Sequence, residues 1–202
     1  MKTSPDVLAA ATTIREQLQA RVDQVGSQPG LNRDAQQCLM ARAWVKAKAD
    51  MDALQARVTT NTDARMRVLT GQVWGVDDIP GDKVSASISY RDATDRAQAL
   101  TGQQDAMALL ATAERSGDEL LARAVACQAD AAGWDDVAGA YFATRPSKAK
   151  QNAELHQLAP SFRNLSAVDM FMWVLPAPGG LDAQNPYRIQ QIADNPAFAT
   201  LR

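Results

Sequence analysis

Residues Gln103–Pro146, QQDAMALLATAERSGDELLARAVACQADAAGWDDVAGAYFATRP, decide the fold class. They read as three short helices separated by glycine-marked turns. Met107 and Leu110 mark the first, which ends at Ser116-Gly117. Asp118 caps the second, where Leu120, Ala124, Cys127 and Ala131 form one apolar stripe and Leu121 and Val125 another. A helix with two apolar faces sits between neighbours. Gly133 ends it, Trp134 staples the next entry, Asp135 caps, and Val137, Ala138, Tyr141 and Phe142 face inward. Arg145-Pro146 stops the third helix, and Ser147 opens another to about Ala159. This pattern describes stacked helical hairpins, a body that holds partners without reactive groups.

Toward the N-terminus, Ser4-Pro5-Asp6 combines a cap, a proline suited to the first helical position and a dipole-matched acid. Val7, Ala11, Ile14, Leu18, Val22 and Val25 follow at near-heptad spacing up to Gly26. After the turn SQPG, Asn32 is a second cap, and Met40, Trp44, Ala47, Met51, Leu54 and Val58 continue the rhythm. An antiparallel helical pair is expected, although a helix from another subunit would satisfy the stripes equally well. The poor helix formers from Thr59 to Asp63 either break the second helix, with Thr62 capping a continuation to Leu69, or face water as it runs through. Gly71 and Gly75 are expected to end it in either case.

Residues 72–91 form the main expected boundary. VWGVDDIPGDK has turn chemistry, and VSASISY alternates Val84, Ala86, Ile88 and Tyr90 as a strand would. A lone strand has no partner within the chain, so residues 84–90 are expected to be an extended loop; strand addition to a neighbouring protein is the alternative. A short helix is expected from Asp92 through Leu100, with Gly102 as its stop. At the other end, Leu165 to Leu175 is apolar around most of a helix, reading as a buried core helix or an interface plug. PAPGG breaks the chain, and Asn185-Pro186 starts a short helix carrying Tyr187, Ile189 and Ile192 before Phe198 and Leu201.

The expected architecture is all-α: an N-terminal helical pair (1–75), a loop or lone extended segment (76–91), stacked short helices (92–160), and an apolar helix with a docking tail (161–202). Large apolar groups on a chain end imply docking, onto the chain's own body or onto a partner. Leu175, Tyr187, Ile189, Ile192, Phe198 and Leu201 are therefore the candidate partner contacts. On that reading, deleting residues 181–202 leaves helicity nearly intact.

Composition narrows the chemistry. A chain of 202 residues can bury a real core, and its alanine-dominated apolar set favours helices with thin interfaces. The net charge of -2 argues against bulk nucleic-acid affinity. Charge is uneven: bases lead from Arg33 to Arg67, while acids outnumber bases about two to one from Asp77 to Glu119. No apolar run approaches the ~20 residues of a membrane span. Cys38 and Cys127 fit no ligand spacing, and buried thiols in a reducing compartment are expected. His156 is the single histidine, which removes most metal and nucleophilic arrangements. Asp118-Glu119 and Asp135-Asp136 sit at helix starts, where capping accounts for them. Asp77-Asp78 lies in a loop without a cation-binding pattern. No catalytic, cofactor or metal residue is assigned, and an enzyme is not expected.

The run AERSGDELLARAVACQADAAGWDDVAGAYFATRP loosely resembles a tetratricopeptide-type hairpin, without a clean repeat or the characteristic early aromatic. The order YRDATDRAQAL, AERSGDELLARAVA, GWDDVAGAYFATRP, MFMWVLPAP, over roughly residues 90–178, is similar to uncharacterised helical proteins encoded among the virion genes of actinobacterial tailed phages. That resemblance carries no functional-residue motif. It implies a virion protein made in the host cytoplasm, a head or head-to-tail component that contacts other virion proteins as a homo-oligomer or ring. The alternative is a soluble adaptor or assembly chaperone that binds a peptide and stays outside the particle.

Overall fold

The computed structural model describes residues 4–159 and 171–201, and all regular structure among them is helical. In chain order the elements are α1 (Pro5–Gly26), α2 (Arg33–Trp74), α3 (Lys83–Gln98), α4 (Gln103–Ser116), α5 (Glu119–Ala132), α6 (Asp135–Ala143), α7 (Pro146–Leu158) and α8 (Pro186–Ala193), then a 3-10 turn at Pro196–Phe198. The chain divides into two units. The first combines residues 1–62 with 160–202, and the second is the continuous stretch Asp63–Ala159. The second is thus an insertion between two halves of the first, and the division falls inside α2.

In the first unit, α1 and α2 are the expected helical pair. Ser4 caps α1 through the Asp6 amide, and the Asn32 side chain accepts from the Ala35 amide at 2.8 Å ahead of α2. Ala11 and Leu18 on α1 share one core with Ala41, Trp44, Ala47, Met51 and Leu54 on α2. Met172, Leu175, Ile189 and Ala193, from the far end of the chain, complete that core. The expected apolar helix Leu165–Leu175 lies mostly outside the described residues.

In the second unit, α5 is the central helix and packs against α3, α4 and α6. Leu121, Ala122, Arg123, Ala124, Val125, Ala126 and Ala129 are all buried, so α5 is enclosed on nearly every side. Its alanines bring backbones close, and Val73, Trp74, Ala97, Leu110, Val137 and Tyr141 fill the space around it. Trp74, Tyr141 and Phe142 form an aromatic cluster with centroids 5.3–6.3 Å apart. The α4 and α5 ends follow the expected chemistry, with Gly117 and Gly133 both left-handed at φ 71° and 73°.

Three expectations change. Residues 84–90 are neither a loop nor a strand but the opening turns of α3, capped by Asp82, whose side chain accepts from the Ser85 amide at 2.8 Å. Val84 and Ile88 are also i, i+4 on a helix, and Ala86, Ala93 and Ala97 carry the buried face, so the alternation was a coincidence of serine spacing. The helix expected from Asp92 therefore begins nine residues earlier, at Lys83. Second, Gly71 does not end α2: of the two alternatives at Thr59–Asp63 the helix takes the unbroken one, passes through Gly71 and ends before Gly75 as expected. Thr59, Thr60, Asn61, Asp63 and Gly71 are exposed, where low propensity costs only about 0.5–1 kcal/mol each. Gly75 is a true stop: a Cβ there would lie 2.3 Å from the Gly71 carbonyl oxygen. Third, Trp134 rather than Asp135 occupies the cap position of α6, and no side chain caps it.

Candidate functional site

The C-terminal segment is held to the first unit by two arginines from opposite partners of the helical pair. Arg15 on α1 donates from Nη2 to the Phe171 carbonyl at 3.1 Å and to that of Met172, and from Nε to the Val174 carbonyl at 3.3 Å. Arg42 on α2 donates to the carbonyls of Ala193 (Nε, 2.8 Å), Leu201 (Nη1, 2.8 Å) and Phe198 (Nη2, 3.0 Å). Ala193 and Phe198 close α8 and the 3-10 turn, where carbonyls lack intrahelical donors. A planar guanidinium with several fixed N–H groups suits such a cluster of ends. The Cys38 thiol also reaches the Ala193 carbonyl at 3.6 Å.

These contacts place the six candidate residues. Leu175 and Ile189 are buried in the first unit's core, Ile189 at 1% exposure. Ile192 packs against that core, and Phe198 and Leu201 are half-buried. Tyr187 is 73% exposed. The structure brings the apolar residues of α8 onto their own chain's helices and leaves Tyr187 in water. Sequence reasoning missed Arg15 and Arg42, because nothing local distinguishes an arginine that caps a distant helix from one in solvent.

The second unit holds a closed cluster of charges around Arg123, which is 1% exposed. Its Nη1 donates to the Gly75 carbonyl and to Asp78 Oδ1 at 2.7 Å. Its Nη2 reaches Asp78 Oδ2 at 3.1 Å and Glu119 Oε1 at 3.2 Å. Lys148 pairs with Asp78 at 2.9 Å and donates to the Gln72 carbonyl at 2.9 Å, at the end of α2. Arg145 pairs with Glu119 at 2.5 Å and Glu114 at 2.8 Å, and its guanidinium lies 4.1 Å from the Tyr141 ring centroid. The Tyr141 hydroxyl donates to Glu119 at 3.3 Å.

The electrostatics follow from this pairing. Burial works against the Asp78 charge, but Arg123 and Lys148 outweigh it and hold the carboxyl at about 2. Burial likewise opposes Glu119, and Arg145 and Arg123 keep its carboxyl below the ordinary range. Burial, with Glu119 alongside, pushes the Tyr141 phenol up to about 12. Asp78 and Glu119 are thereby held ionised and Tyr141 protonated across the ordinary pH range. The cluster ties the residue 75–82 connection to α5, α6 and α7. The clue in the sequence is negative: α5 has apolar residues on every face, so its arginine has no path to solvent.

His156 lies 2.8 Å from Asp130, which also accepts from the buried Asn152 side chain at 2.7 Å, tying α5 to α7. Cys38 is buried and Cys127 half-buried, with burial raising the Cys127 thiol. Among the described residues no group of three or more His, Cys, Asp or Glu side chains is placed to hold a metal ion. No described helix is long and apolar enough to cross a membrane. Val84 and Ile88, one turn apart on α3, are each 67% exposed. Comparison with protein-family models, curated proteins and solved structures finds no match to this chain.

Proposed function

We propose that this chain is a non-enzymatic structural or assembly protein of a tailed bacteriophage particle, a head or head-to-tail component that works through protein–protein contacts. One observation carries the contact reading: large apolar side chains stand in water on helices whose other faces are packed, Val84 and Ile88 on α3 and Tyr187 on α8. The particle context rests on the sequence resemblance over residues 90–178. The charged groups around Arg123 are spent on one another, which fits a body that positions surfaces.

The test replaces exposed residues only, because Leu175 and Ile189 support the fold. Val84→Glu with Ile88→Glu, and separately Tyr187→Glu, should keep the wild-type melting temperature and lose incorporation, read by quantitative mass spectrometry of purified particles. Variants that enter particles at wild-type levels would count against the contact reading. The open groove of about 430 Å³ between α1 (Arg15, Leu18, Val22) and residues 176–179 is the feature that favours a peptide-binding adaptor or chaperone. Wild-type protein found in lysate but absent from particles would favour that alternative.

A further inference from the structure

We draw no further inference here: the strongest candidate, the outward face of α3 on which Val84 and Ile88 stand exposed one turn apart, is an apolar surface patch, and nothing in the structure shows what covers it.

Discussion

At the scale of single residues, Arg123 matters most to the second unit. It is buried, and its partners Asp78 and Glu119 come from a loop and from one turn earlier on its own helix. Removing it leaves Asp78 to Lys148 alone and Glu119 to Arg145, releases the Gly75 carbonyl and opens a buried volume beside α5. Arg123→Ala should cost about 3 kcal/mol by thermal or urea unfolding, and Arg123→Met, which refills the volume, distinctly less. An equal loss in both would show that volume is irrelevant and the pairing alone decides. The acid side follows from the same pairs. Asp78 and Glu119 titrate below their unfolded values, so their stabilisation is complete above roughly pH 5 and disappears as pH falls toward 2. Thermal melts should therefore drop steeply between those limits, and Arg123→Met should flatten the drop. Tyr90 and Tyr141, raised by burial to about 12, act oppositely: their contribution is complete below about pH 10 and is lost above it.

Among the elements, α4 to α7 were legible from caps and glycines because their signals are local. Asp118 caps α5, two left-handed glycines end α4 and α5, and Pro146 opens α7. The α1–α2 stripes were legible for the same reason, through periodicity. Helix α3 was not, because its buried positions are alanines, joined by the half-buried Tyr90, while Val84 and Ile88 point outward. A pattern read by side-chain size then misassigns the buried face. Its cap gives a direct check: Asp82 accepts from both the Ser85 amide and hydroxyl, so Asp82→Ala should lower the melting temperature of the second unit. An unchanged melt would mean α3 forms through packing alone. The candidate site was half legible. The tail's large apolar residues were legible as groups that need a seat, but the seat on the chain's own helices depends on Arg15 and Arg42, far away in sequence from the carbonyls they hold. Deleting residues 181–202 consequently removes Ile189 and Ala193 from a core, and helicity should not survive it untouched.

For the whole molecule, two separate cores in one chain define its behaviour. The second unit is continuous from Asp63 to Ala159 and carries its own core and charge cluster. Expressed alone, residues 63–159 should fold cooperatively, with a sigmoidal melt and near-native helicity by circular dichroism. A featureless melt would show that the inserted unit depends on its host. The first unit has no such option, because its halves lie on either side of the insertion.

That interrupted chain order has a consequence in time. On the ribosome, Ile189 follows Thr62 by about 130 residues, which at roughly 5–20 residues per second is a delay of about 6–25 seconds. During that interval the whole of the inserted unit is made, while the N-terminal part of α2 still lacks the α8 residues that complete its core. The first unit, although its residues begin the chain, is therefore the last to close.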